Sequence, residues 1–179
     1  TKEHIASYSP EWLEPISVNY RGYDVWEIPP NGQGLNALIA MNILKEMDFG
    51  AKDTVDTYHK QIEAMKLAFA DGKKYITEES KMSVKVEDLL SEDYAAQRRK
   101  LIGEEALTPE PGRPPKGGTV YLAAADNEGN MISYIQSNYM GFGSGLVVPG
   151  TGIALQNRGN NFSLDPEHDN CLEPKKRTY

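Results

Sequence analysis

The residue composition of this chain changes most sharply in the stretch Pro114-Pro115-Lys116-Gly117-Gly118-Thr119-Val120-Tyr121-Leu122. Before it, residues 103–118 hold four prolines and four glycines, which is typical of an exposed linker or a mobile loop. After it, Val120 to Ala125 predicts a short strand. A threonine at a chain N-terminus can act as a nucleophile with its own α-amino group as base, once the bond before it is cleaved. From composition alone, however, Gly-Gly-Thr at the start of a strand is common, and an ordinary glycine turn is the better explanation of Gly118-Thr119.

The sequence after this junction predicts mainly β-structure. Residues 126–130 form a polar turn, and Met131 to Gln136 predicts the partner of the first strand. Five glycines follow between residues 141 and 152. Ile153-Ala154-Leu155 predicts another short strand, and the tail from Asp165 is polar.

The sequence before the junction predicts a hairpin and three helices. Residues 16–20 and 23–28 alternate apolar and polar side chains around Arg21-Gly22, which favours a β-hairpin. Gly32-Gln33-Gly34 then precedes an apolar helix that should be buried on most sides. A glycine turn is a better interpretation of this motif than a phosphate loop, because the spacing and the terminal lysine are missing.

Helix-start signals at Asp53-Thr54 and Ser91 predict the other two helices. The first of these should be amphipathic, with its lysines and acids outside. We expect its inward face to carry the apolar residues Val55, Tyr58, Ile62, Met65, Phe69 and Ile76. In the second, Arg98-Arg99-Lys100 suits the helix dipole and should form a solvated helix end.

Composition excludes several classes of function. The 179 residues include 26 acidic and 19 basic side chains, and this acidic balance argues against a nucleic-acid partner. A single cysteine and three scattered histidines predict neither a disulfide nor a metal site. No apolar run is long enough to cross a membrane, and no signal peptide is visible. The chain begins at Thr1, so we expect a fragment or a processed product, and its compartment is unknown.

Several motifs together resemble the gamma-glutamyltranspeptidase family of N-terminal-nucleophile hydrolases. They are, in chain order, residues 20–30, 63–71, 118–119 with 126–130, 142–145 and 149–157. The resemblance implies an α+β fold that forms part of a four-layer αββα sandwich, with no metal or organic cofactor. It also implies a self-cleaving precursor, in which residues 1–118 end the large subunit and residues 119–179 begin the small one.

The resemblance assigns the chemistry to two hydroxyls. Thr119 falls on the nucleophile, and Gly118-Thr119 falls on the cleavage site. Ser137 falls where the family has a threonine that hydrogen-bonds the freed α-amino group, and a serine hydroxyl can do the same. The chain lacks the family's N-terminal portion and stops before the oxyanion-hole glycines. We therefore expect this piece alone to be inactive.

The implied substrate-binding residues depart from the family pattern. Tyr139 replaces a pocket asparagine, Arg158 replaces a pocket glutamine, and Asn161 replaces the aspartate that pairs with the α-ammonium group of a γ-glutamyl substrate. Asn161 loses the charge and Arg158 favours a carboxylate, as in the cephalosporin-acylase-like branch that takes glutaryl groups.

Three alternatives stay open. Asn161 can be a loop residue without ligand contact. The parent protein can be an ordinary γ-glutamyltransferase or hydrolase of glutathione. It can also be an unprocessed, non-catalytic homologue, because Val120-Tyr121 replaces the usual threonine-histidine pair. In the catalytic readings the partners are a small γ-glutamyl or glutaryl substrate and the two subunits of one precursor, with neither nucleic acid nor membrane.

Overall fold

The computed structural model describes residues 2–107 and 119–179, with the side chains of residues 4, 5 and 119–121 excepted. It confirms the predicted α+β class. The helices are α1 (Lys2–Ala6), α2 (Gly34–Leu44), α3 (Val55–Tyr75), α4 (Val86–Leu89) and α5 (Glu92–Arg99), with 3₁₀ turns at Glu79–Lys81 and Arg158–Asn161. The strands are β1 (Ile16–Tyr20), β2 (Tyr23–Glu27), β3 (Thr119–Ala125) and β4 (Met131–Ser137). In these ranges no helix is long and apolar enough to span a membrane.

The core lies where α2 packs on α3. Helix α2 is buried on most sides, as its apolar sequence predicts, and Leu35, Leu38 and Ile43 are fully enclosed. Side chains of α4 and residues flanking α5 pack against the same cluster. Two asparagines of α2, Asn36 and Asn42, are nonetheless buried within it.

Helix α3 exists as predicted, but most of its buried face differs from the prediction: of the residues expected to face inward, Ile76 at the C-terminal cap is fully buried and Phe69 is half-buried. The buried residues are Thr57, Glu63, Ala64, Leu67, Ala68, Asp71 and Gly72, whereas Val55, Tyr58, Ile62 and Met65 are exposed. The small residues Ala64 and Ala68 pack in one cluster with α2, and Gly72 leaves room for the side chain of Asn36. Ion pairs with Lys66 and Arg98 then compensate the two buried acids.

The basic end of α5 is not solvated, contrary to the sequence prediction. Arg98 pairs with Asp71 of α3 at 2.7 Å. Arg99 donates to the carbonyls of Ile43 at 2.7 Å and Asn42 at 3.0 Å. These carbonyls lie in the last turn of α2, where no intrahelical donor reaches them, so the arginine serves as a cap supplied by another helix. Only Lys100 of the triplet is exposed.

Both hairpins are antiparallel, as predicted. Strand β1 pairs with β2, and β3 pairs with β4 in a register that joins Ala125 to Met131. Ile153–Leu155 is not a strand, contrary to the prediction; only a single bridge joins Val147 to Ala154. Gly145 and Gly152 lie on either side of the bridge with φ angles of 74° and 72°, so the backbone leaves the extended conformation in both directions.

Candidate functional site

A cavity of about 1070 Å³ lies between residues from both sides of the Gly118-Thr119 junction. The side before the junction contributes the end of the β1–β2 hairpin and the turn leading into α2. The side after it contributes the end of β4, the Arg158–Asn161 turn and the final residues. The lining residues are Ile28, Asn31, Gly32, Gln33, Ile135, Ser137, Tyr139, Gln156, Arg158, Gly159, Phe162, Lys176, Arg177, Thr178 and Tyr179.

The backbone register places the predicted nucleophile position beside this cavity. Thr119 lies directly opposite Ser137 in the β3–β4 ladder. Directly opposed residues of an antiparallel pair have Cα atoms about 4.5–5.5 Å apart. Ser137 lines the cavity, and its Oγ accepts a hydrogen bond of 3.0 Å from the amide of Tyr139. Gly118 lies outside the described residues.

Tyr139 lines the cavity from a strained backbone. Its φ angle is +75°, which is uncommon for a residue with a side chain. The Ser137 hydroxyl fixes its amide from one side. On the other side, Asn157 Oδ1 accepts a hydrogen bond from the backbone amide of Met140 at 3.1 Å. The backbone amide of Asn157 donates to the Asn138 carbonyl at 3.3 Å. Asn157 therefore fastens the turn that presents Tyr139.

Arg158 supplies a positive charge to the cavity. Its guanidinium carbon lies 5.7 Å from the centroid of the Tyr139 ring. The other cations of the lining already have carboxylate partners: Lys176 pairs with Glu173, and Arg177 pairs with Glu78. Within residues 2–107 and 119–179, no carboxylate lies within ion-pair distance of Arg158.

The N-terminus of α2 also faces the cavity, but a carboxylate already stands beside it. A Cβ on Gly34 would lie 2.5 Å from Glu27 Oε2, so the Glu27 side chain covers the first turn of the helix. A negative charge in this place is stabilised by the helix dipole. The Gly32-Gln33-Gly34 motif is thus a helix entry, as predicted, and Arg158 is the better placed group for an anionic ligand.

Asn161 lies behind the cavity wall rather than in its lining. Its Nδ2 donates to the carbonyl of Tyr179 at 2.7 Å. Its own carbonyl accepts from Asn170 Nδ2 at 3.0 Å. The structure therefore brings Ser137, Tyr139 and Arg158 to one cavity and places Asn161 at its rear.

Sequence reasoning missed the residues that support this wall. Tyr179 Oη accepts a hydrogen bond of 2.5 Å from Asn36 Nδ2 of α2. Burial raises the pKa of the Tyr179 phenol, and the bond from Asn36 acts in the opposite direction. An asparagine interrupting the apolar run of α2 was a usable signal, because a buried amide requires a partner. Asn170, in a uniformly polar tail, gave no such signal.

Several known proteins are similar to this chain in sequence, and one of known structure is similar in fold. A cephalosporin acylase from Bacillus halodurans is 73% identical, superposes with a TM-score of 0.88, and matches 100% of this chain with 33% of its own. The glutathione hydrolase-like YwrD proenzyme of Bacillus subtilis is 41% identical over 100% of this chain and 34% of its own length. The oxamate amidohydrolase proenzyme of Klebsiella pneumoniae is 36% identical over 92% of this chain and 31% of its own.

These matches confirm the predicted resemblance and the predicted fold, an α+β part of an N-terminal-nucleophile hydrolase. The chain spans about a third of the length of the curated relatives it matches. The gamma-glutamyltranspeptidase model matches residues 1–179, the whole of the chain. The chain therefore belongs to the gamma-glutamyltranspeptidase family.

Proposed function

We propose that the full-length protein is a self-processing acylase that hydrolyses or transfers a glutaryl-type acyl group. Cleavage at Gly118-Thr119 would end a large subunit at residue 118 and begin a small subunit at Thr119. The proenzyme relatives and the position of Thr119 at the start of β3 support this division.

In the proposed reaction, the Thr119 hydroxyl attacks the acyl carbonyl and its own α-amino group accepts the proton. The same proton passes to the leaving amine as the carbon–nitrogen bond breaks. Water then hydrolyses the acyl ester, releasing the carboxylic acid and regenerating the hydroxyl. Ser137 lies directly opposite Thr119 in the ladder and would hydrogen-bond the free α-amino group.

Arg158 carries the choice of acyl group. A γ-glutamyl donor brings both an α-ammonium and an α-carboxylate, whereas a glutaryl donor ends in a carboxylate alone. The unpaired guanidinium in the cavity favours the carboxylate and repels the ammonium. Tyr139 would shield one side of the ligand.

The test uses purified full-length protein and three matched 4-nitroanilides: glutaryl, γ-glutamyl and pentanoyl. The last replaces the carboxylate of glutaryl by a methyl group. We expect two chains by intact mass, the smaller starting at Thr119, and one uncut chain for Thr119→Ala. We also expect the glutaryl substrate to have the highest kcat/KM. Arg158→Gln should reduce its advantage over pentanoyl about tenfold or more, since a bond to a charged group is lost.

Asn161→Asp would also remove the hydrogen bond from Asn161 to the Tyr179 carbonyl, so the test of the acyl group rests on Arg158→Gln. A γ-glutamyl preference in the unmutated enzyme would instead support a glutathione hydrolase or transferase. A single uncut chain without turnover would support a non-catalytic homologue and overturn the proposal.

A further inference from the structure

The buried side chain of Asn170 uses every hydrogen-bonding position it has. It is 2% exposed. Its Oδ1 accepts from the Thr77 hydroxyl at 3.0 Å and from the Tyr179 amide at 3.2 Å. Its Nδ2 donates to the Asn161 carbonyl at 3.0 Å and to the Thr178 hydroxyl at 3.4 Å. A primary amide has two donors and two acceptor lone pairs, so the group is fully satisfied.

These bonds join three separate parts of the chain. Thr77 is fully buried just after α3, on the large-subunit side of the junction. Asn161 ends the 3₁₀ turn that begins with Arg158. Tyr179 lines the cavity and receives the second bond from Asn161. The Arg158–Asn161 turn is thus fixed to the core through Asn170 and Tyr179, at both the carbonyl and the side chain of Asn161.

We infer that Asn170 is a positioning residue for acyl-donor recognition: its amide fixes the Arg158–Asn161 turn and thereby the guanidinium of Arg158 in the cavity. The inference rests on the proposed function, in which Arg158 binds the donor carboxylate. Asn170 is not in the cavity lining and touches no ligand in this scheme. It acts through the turn alone.

The substitution that isolates this role is Asn170→Asp, which has nearly the same shape. An aspartate keeps the acceptor for Thr77 and for the Tyr179 amide. It loses both donors, and it brings an oxygen against the carbonyl oxygen of Asn161, where the amide nitrogen now donates. The bond on the core side is kept while the bond on the turn side becomes repulsive.

The experiment measures kcat and KM of the full-length protein for the glutaryl and pentanoyl 4-nitroanilides. For Asn170→Asp we expect KM for glutaryl to rise about tenfold, because the bond lost is to a charged group, with KM for pentanoyl nearly unchanged. Asn127→Asp, the same substitution in the exposed turn between β3 and β4, is the matched control and should change neither value. Equal losses on both substrates would mean a merely structural role and would overturn the inference.

A second measurement separates this inference from the proposed function. If the unmutated protein turns over neither substrate, the proposed function fails first. A crystal structure of full-length Asn170→Asp then decides the positioning role by itself. Displacement of Arg158 from the Tyr139 ring supports the inference, and an unmoved turn overturns it. Tyr179→Phe, which removes only the bond from Asn36, should displace the turn less than Asn170→Asp does.

Discussion

At the scale of single residues, Gly72 of α3 packs against Asn36, which supports the cavity wall through its hydrogen bond to Tyr179. A Cβ on Gly72 would lie 2.1 Å from Asn36 Oδ1. That oxygen is buried and has no hydrogen-bond partner among the described residues, while the amide nitrogen of the same group donates to Tyr179. Gly72 therefore leaves the space in which Asn36 can reach Tyr179.

Gly72→Ala should destabilise the full-length protein by about 1–3 kcal/mol, the usual cost of overpacking a filled core. Thermal or urea unfolding measures this loss. Gly50→Ala is the matched control, because nothing lies within 4 Å of the Cβ it would add. Equal stability of the Gly72 and Gly50 variants would show that Asn36 can move aside without loss.

The sequence could predict which site residues share a cavity, but not how that cavity is supported. Ser137, Tyr139 and Arg158 do line one cavity, as the family resemblance implies. Their roles stay predictions. The position of Asn161 behind the wall depends on Asn170 and Tyr179, whose contacts span 9 and 18 residues of a polar tail without periodicity. No local pattern encodes such contacts.

At the scale of elements, periodicity located α3 but not its buried face. Most apolar residues predicted to face inward are large, whereas the core shared with α2 includes Ala64 and Ala68, and Gly72 packs against Asn36. Close helix approach selects small residues, and paired acids can be buried beside them. A hydrophobicity pattern gives too little weight to small residues and to buried acids, because it scores the polarity of each residue and not its partner.

A bidentate ion pair joins Glu78, in the segment that follows α3, to Arg177 near residue 179. Arg177 donates to both carboxylate oxygens of Glu78, at 2.5 and 2.6 Å. These bonds hold the pKa of Glu78 below its ordinary value of 4.5. The folded state therefore favours the ionised form, so the stabilisation is present above pH 4.5 and is lost as the pH falls through the folded-state pKa.

Glu78→Gln should accordingly lower stability at pH 7, and the deficit should shrink as the pH falls through the folded-state pKa of Glu78. Urea unfolding at a series of pH values tests this difference. Glu79→Gln removes the same charge at the exposed neighbouring position and should have little effect at any pH. A constant deficit for Glu78→Gln across the whole series would exclude the ion pair as its cause.

At the scale of the whole molecule, much apolar surface is exposed. On α3, Val55 is 87% exposed and Ile62 is 55% exposed; on β4, Met131 and Ile135 are 84% and 68% exposed. Where exposed apolar side chains are grouped together, the surface that they form often contacts another one. The relatives are about three times as long as the part of them that matches this chain.

The 179-residue chain produced alone should therefore self-associate, and Ile62→Lys should reduce the associated fraction. Gln61→Lys is the matched control, because it adds the same charge to the exposed side of α3 and leaves the apolar surface intact. Light scattering after size-exclusion chromatography gives the mass, with circular dichroism to confirm equal helix content. A monomeric unmutated chain at all concentrations would contradict this expectation.

The turn between β3 and β4 has a consequence for how the sequence can vary. Asp126 Oδ1 accepts from the amides of Glu128 and Asn130 at 2.9 and 3.0 Å, which closes a loop of five residues. A loop one residue longer or shorter could keep this closure only by shifting the ladder, which would place Gln136 or Asn138 opposite Thr119. A substitution that keeps Asp126 and the loop length preserves this register, whereas an insertion or deletion in the loop changes either its closure or the register. The loop closed by Asp126 thus sets the register of the two strands, and with it the residue that lies opposite Thr119.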